Sequence, residues 1–147
     1  MNQSKEKQVA ILLALYARGG TLTAESALDY IEFQGLLLPA EGDEREVSTQ
    51  ESSFRNSLRW ERNRLKELGQ LDGSRPGFWK ITNAGRERVE RIARSMKNHG
   101  ITAETDLRIH GLERYSPRLV GLLLEIGTRN CVELPTRSEG SDILISS

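Results

Sequence analysis

The sequence predicts a mainly α, α+β fold, and three observations carry that reading. Apolar residues recur at helical spacing in four stretches of the first hundred residues. Between the third and fourth, Leu71 to Ile81 sets two short apolar segments around Gly73, Ser74 and Pro76, the pattern of a β-hairpin. Farther on, Ser116-Pro117 signals a helix start ahead of the apolar run Leu119 to Ile126.

Val9, Leu12, Leu13 and Tyr16 define the stripe of a first helix, Lys5 to Arg18, with Ser4 as its cap and Gly19-Gly20 as its stop. Thr21 or Thr23 caps a second, whose apolar face is Ala27, Leu28 and Ile31, whose first turn holds Glu25 and which ends near Gly35. Leu36 to Gln50 contains Pro39 and Gly42 and becomes strongly acidic, so an exposed loop is expected there, a plain solvated surface or, beside a DNA-binding face, a segment that repels phosphate. The third helix lies within Ser48 to Gly69. Either a Ser48–Glu51 capping box or a looser cap within Thr49 to Ser53 starts it, and Gly69 stops it. Thr82 caps the fourth, with Val89, Ile92, Ala93 and Met96 as its stripe, and this helix ends near Asn98 to Gly100.

In the third helix Phe54, Leu58, Leu65 and Leu68 fall within an arc of about 80° at the 3.6-residue period. Arg55, Arg59, Arg62 and Lys66 occupy a neighbouring arc, with Asn56 and Asn63 beside them. Guanidinium, ammonium and amide groups are what phosphates and base edges require. An ordinary solvated charged face has the same composition, and the surrounding order decides between the two. Three helices, a hairpin carrying Arg75 and Lys80, and a further helix form the order of a winged helix-turn-helix, in which the third helix enters the major groove and the wing reaches an adjacent groove or backbone. The candidate DNA-binding residues are therefore Ser53, Arg55, Asn56, Arg59, Arg62, Asn63, Lys66, Arg75 and Lys80. Trp60 lies off the apolar stripe and either packs against the second helix or the tail or is exposed; packing is expected over stacking on bases. Trp79 and Phe78 are expected at the base of the wing, and Arg86, Arg88, Arg91 and Arg94 on a solvated face.

The chain has 147 residues and zero formal net charge, but the charge is segregated. Residues 54 to 94 carry eleven Lys and Arg against five acids, a net of +6; residues 21 to 51 carry one against eight, a net of −7. A single cysteine, Cys131, excludes an intramolecular disulfide and fits a reducing cytoplasm. With His99 and His110 isolated, there is no metal-ligand spacing, and no cofactor is expected. The N-terminus lacks a signal-peptide pattern, and no apolar run is long enough to span a bilayer.

The run Phe54-Arg-Asn-Ser-Leu58-Arg-Trp60-Glu-Arg-Asn-Arg-Leu65-Lys-Glu-Leu68-Gly69, followed by Gly77-Phe78-Trp79-Lys80-Ile81-Thr82-Asn83-Ala84-Gly85-Arg86, resembles the N-terminal winged-helix domain of the Mrr-type restriction proteins. The resemblance covers about residues 5 to 95. It implies DNA binding through the third helix and the wing, in proteins that restrict modified foreign DNA. Such proteins join this domain to a nuclease with an Asp and a Glu-x-Lys or Gln-x-Lys triplet. Only 53 residues follow Arg94 here, and they contain no such triplet. A non-enzymatic role is expected.

In the tail, residues 101 to 110 fit a short helix or a strand. Leu119, Leu122, Leu123 and Ile126 belong to a helix closed by Gly127 that must be buried within the chain or against a second copy, and a homodimer through these residues is expected. Cys131 to Leu134 and Asp142 to Ile145 suggest a small hairpin. The expected organisation is a winged helix-turn-helix over 1–98 and a C-terminal helical/hairpin extension over 99–147. The expected function is sequence- or modification-dependent double-stranded DNA binding, as a stand-alone regulator or the reading part of a restriction or defence system. The alternative is a protein-interaction winged helix in a larger complex, recognisable by a partner bound without duplex affinity.

Overall fold

The computed structural model describes residues 4–38 and 47–133, with side chains for 4–38 and 53–129. The order is α1 (Ser4–Ala17), β1 (Thr21–Thr23), α2 (Ala24–Gln34), α3 (Val47–Glu67), β2 (Leu71–Asp72), β3 (Phe78–Ile81), α4 (Asn83–Asn98), a 3-10 turn (Leu107–His110) and α5 (Pro117–Glu133). The fold is α+β and mostly helical, with one small antiparallel sheet.

The expected amphipathic first helix is apolar on every side at its centre: each residue from Val9 to Leu15 is buried. Such a helix is stable only when covered all round. α2, α3, α4 and β3 all pack on it. Its polar groups are satisfied at the ends. The Tyr16 hydroxyl donates to Glu90 Oε2 of α4 at 2.6 Å, while Ser4 Oγ (2.7 Å) and Gln8 Nε2 (3.0 Å) donate to the buried carboxylate of Glu61 on α3. Ser4 is thus itself helical, and its side chain serves Glu61.

The hairpin forms as expected, Leu71 opposite Ile81 and Asp72 opposite Lys80, with Trp79 and Ile81 buried on one face. Its return strand is also the centre of a three-stranded sheet, order β1-β3-β2, because Thr21-Leu22-Thr23 pairs antiparallel with Lys80, Trp79 and Phe78. β1 has no counterpart in the sequence reading, which took these threonines only as caps. Thr23 does both, closing β1 and accepting the Ser26 N–H on Oγ1 at 3.1 Å. Gly35, at φ 66°, ends α2 in the left-handed conformation that glycine adopts without a Cβ penalty. Thr82 caps α4, accepting from Gly85 N at 3.2 Å.

Several boundaries differ from expectation. α3 spans Val47–Glu67, so Ser48, Glu51 and Ser53 are positions within the helix and not its N-cap. Leu36 is buried in the core, and the acidic stretch 39–46 falls outside the described residues. Leu68 is 57% exposed, because Gly69 turns the chain into β2 before Leu68 can reach the core. The undecided 101–110 segment contains the 3-10 turn, capped by Asp106.

Ser116 caps α5 by accepting the Arg118 N–H at 3.1 Å, and its hydroxyl donates to the Gly35 carbonyl at 2.6 Å, tying α5 to the end of α2. α5 then runs through Gly127 to Glu133, so Cys131, Val132 and Glu133 are helical and not part of a hairpin. The remainder of that expected hairpin, including Asp142 to Ile145, lies outside the described residues. Gly127 is the crossing point of α5 over α4, where a Cβ would stand 2.8 Å from the Ala93 carbonyl oxygen and from Lys97 Cγ. The close approach buries Leu119, Val120, Leu123 and Ile126 in the same core as α1. The apolar face expected to form a homodimer is therefore spent inside the chain, with Leu122 half-buried beside it.

Gly127→Val should lower stability by about 1–3 kcal/mol through overpacking against α4. Gly121→Ala in the same helix, where a Cβ meets nothing within 4 Å, should raise it by about 0.5–1 kcal/mol. Urea midpoints of the two variants check both signs. Burial, then the hydrogen bond and the charge of Glu90, push the Tyr16 phenol up to about 12 from 10.0. The folded state holds this proton more tightly than the unfolded chain, so its contribution is complete below pH 10 and is lost as pH rises towards 12. Urea midpoints measured across that window should fall less steeply for Tyr16→Phe than for the natural chain.

Candidate nucleic-acid interface

α3 divides cleanly by exposure. Leu58, Glu61 and Leu65 are buried and Phe54, Arg55 and Arg62 are partly buried, whereas Ser53, Asn56, Arg59, Trp60, Asn63, Arg64 and Lys66 are exposed. With exposed Glu67, the outer face carries three cations, one carboxylate, two amides, a hydroxyl and an indole. Ser53, Arg55, Asn56 and Arg59 line a shallow cleft of about 340 Å³.

Arg55 points away from that face towards α2. Its Nη1 donates to Glu25 Oε1 at 3.0 Å, and its Nη2 to Asp29 Oδ1 at 2.7 Å and Glu32 Oε1 at 2.8 Å. The three acids stand at i, i+4 and i+7 along α2 and so share one face. Hydrogen bonds to Asp29 and Glu32 raise the guanidinium pKa further above its already high ordinary value. Arg59 joins the cluster through one contact, Nη2 to Glu25 Oε2 at 3.1 Å, and stays 45% exposed against 23% for Arg55. Arg55 is therefore chiefly a clamp between α2 and α3, and Arg59 is the freer cation.

Arg62 is turned towards the hairpin. Its guanidinium lies 6.0 Å from the Trp79 ring centroid, Nη1 donates to Asn63 Oδ1 at 2.7 Å, and its buried Nε has no hydrogen-bond partner among the described residues. Arg75 stacks on Phe78, 3.9 Å from the ring centroid, at the tip of the hairpin. The turn is held by Asp72, whose carboxylate accepts the Ser74 N–H at 2.9 Å and is shifted below its ordinary pKa chiefly by that bond. Lys80 is exposed on the central strand and Lys66 on α3.

Among the sequence-derived candidates, Ser53, Asn56, Arg59, Asn63 and Lys66 share the outer surface of α3, with Arg75 and Lys80 on the hairpin, while Arg55 and Arg62 pack inward. Trp60 was expected to pack and is instead 63% exposed. Its place on the helical wheel, well away from Leu58 and Leu65, was the available signal. Exposed Arg64 was missed for want of any pattern separating it from a solvated charge. On α4 the expected solvated arginine face is only partial. The Arg86 guanidinium sits 5.9 Å from the Tyr16 ring centroid, and Arg88 donates to two glutamine side chains.

Among the described residues no cluster of three or more His, Cys, Asp and Glu side chains has the arrangement to hold a metal ion, and no helix is long and apolar enough to cross a membrane. The chain matches the family model of the Mrr N-terminal domain over residues 7–91, more than half its length, and it belongs to that family. This is a domain associated with DNA binding in restriction-system proteins, and no nuclease domain is matched in the rest of the chain. No curated protein and no solved structure matches the chain.

Arg55→Gln should destabilise the protein by about 1–3 kcal/mol, because it removes charge-assisted hydrogen bonds and leaves three carboxylates facing one another. The loss should shrink in high salt, which screens the remaining repulsion. Arg59→Gln, at a more exposed single contact, should cost less than about 1 kcal/mol. Thermal unfolding of both variants at low and high ionic strength checks the ranking.

Proposed function

We propose that the chain is a winged helix-turn-helix module that binds double-stranded DNA, with α3 as the recognition helix and the β2–β3 hairpin as the wing. The observation that carries this reading is the outer face of α3, where Asn56 and Asn63 stand with Arg59 and Lys66 on a rigid helix beside a hairpin bearing Arg75 and Lys80. The amides read base edges, as asparagine does in pairing with adenine, and Ser53 assists them. Arg59, Lys66, Arg75 and Lys80 neutralise phosphates. Arg55 and Arg62 act one step back, fixing α3 against α2 and against the wing. The body formed by α1 to α4 does the binding, and residues 99–147 supply the helix that covers α4. Belonging to the Mrr N-terminal family supports a place in restriction, as the module that recognises DNA and leaves cleavage to another domain or protein.

A second reading, a surface that binds protein, is favoured by one observation: Trp60 on α3 and Leu68 just beyond its end are both exposed large apolar side chains. The two readings separate in a single titration. Fluorescence anisotropy on methylated and unmethylated duplexes across a salt series should give binding whose log–log salt slope falls by about two for the Arg59→Ala/Lys66→Ala double variant. Asn63→Ala should cost about 1–3 kcal/mol on the preferred duplex and little on others. A double variant that binds the duplex as tightly as the natural chain throughout the series would overturn the assignment of α3.

A further inference from the structure

A second cleft, of about 370 Å³, opens between the start of α1, the second half of α4 and the segment that follows it. Its polar lining is Lys5, Arg88, Arg91, Ser95, His99 and His110, and its apolar lining includes Ile92, Met96, Ile101, Leu112 and the ring of Tyr115. No carboxylate lines it among the described residues. Its volume falls in the range of about 300–1,000 Å³ typical of small-molecule sites, and an apolar wall facing a few charged groups is how such sites are built.

Arg88 shows that the cleft is electrostatically incomplete. It is partly buried, its Nη1 donates to Gln8 Oε1 at 2.9 Å and Gln70 Oε1 at 2.8 Å, and among the described residues it meets no carboxylate. Burial above all, with the nearby charge of Arg91 adding to it, pulls its pKa down. A cation removed from water with only neutral acceptors around it is costly to hold, and a bound anion would offset that cost. His99 adds a directed group: its Nδ1 is engaged by the Ser95 carbonyl at 2.7 Å, which orients the ring and leaves Nε2 facing elsewhere.

We infer that this cleft binds a small phosphate-bearing ligand with a flat ring, a nucleoside monophosphate, the phosphate on Arg88, Arg91 and Lys5 and the ring against Ile92, Met96, Leu112 and Tyr115. An inorganic anion would leave the apolar wall in water. An extended DNA backbone would not fill a concave cleft. The site is independent of the α3 surface, so it stands whether or not α3 binds a duplex.

The chain has two histidines and both line this cleft, so their imidazole proton resonances report its occupancy. The full chain, in phosphate-free buffer at constant pH, is titrated with adenosine and guanosine 5′-monophosphates, with adenosine and with inorganic phosphate. Both histidine signals should move together and saturate, with at least one monophosphate binding about tenfold or more tightly than phosphate or nucleoside alone. Lys5→Ala/Arg91→Ala, at two exposed positions, should weaken this about tenfold with an unchanged unfolding midpoint, and Arg88→Gln should weaken it as well. The proposal is overturned by the absence of saturation up to about 10 mM monophosphate. Unchanged affinity in the Lys5/Arg91 variant would equally overturn it. So would a duplex oligonucleotide that moves both histidines where the mononucleotides do not, a result that would assign these cations to the DNA backbone.

Discussion

Everything in this protein leans on the burial of α1. Seven consecutive residues, Val9 to Leu15, are removed from water, so this helix has no solvent face at its centre and must be enclosed from every direction. Each of its large side chains contributes about 1.5–3 kcal/mol on burial, a total that no surface ion pair approaches. The enclosing elements α2, α3, α4 and β3 are thereby placed relative to one another. The outward direction of α3 follows: with Leu58, Leu65 and Glu61 turned to α1, the side bearing Asn56, Trp60 and Asn63 can only face solvent.

Electrostatics then sorts the cations that hydrophobic burial has positioned. Arg55 is engaged by three carboxylate oxygens at 2.7–3.0 Å and is largely shielded, so withdrawing it to meet a phosphate would expose three acids to one another. Arg59, with a single exposed contact, and exposed Lys66 have less to give up. Arg88 is the opposite case, partly buried with only amide acceptors. Through Gln8 it also touches the network that satisfies Glu61, so the second cleft and the inner side of α3 share one hydrogen-bonded chain.

α5 completes the core from the far side. Its crossing of α4 at Gly127 lets backbone meet backbone, and Ser116 locks its start to the end of α2. An apolar helix needs a partner, and α4 supplies it within the same chain. Leu119, Leu123 and Ile126 are thus unavailable to a second copy.

What the sequence determined by itself was local. Thr82 and Ser116-Pro117 mark helix starts, Gly35 and Gly69 mark ends, and the alternation of Trp79 and Ile81 names the buried face of the hairpin, because caps, left-handed glycines and strand periodicity depend on a few neighbouring residues. The stripe of α3 was legible for the same reason, and so was the likeness in the run Phe54 to Arg86. Tertiary structure decided the rest. Thr21 to Thr23 is a strand only because β3 offers it an unpaired edge, and Gly127 continues a helix only because α4 lies beneath it. Arg55 became a clamp because α2 places Glu25, Asp29 and Glu32 opposite it, and Trp60 stayed exposed because no element among the described residues covers its side of α3. His99 and His110, unremarkable in sequence, meet in one cleft. Exposure and ion pairing depend on residues distant in the chain, and only the packing around α1 brings those residues together.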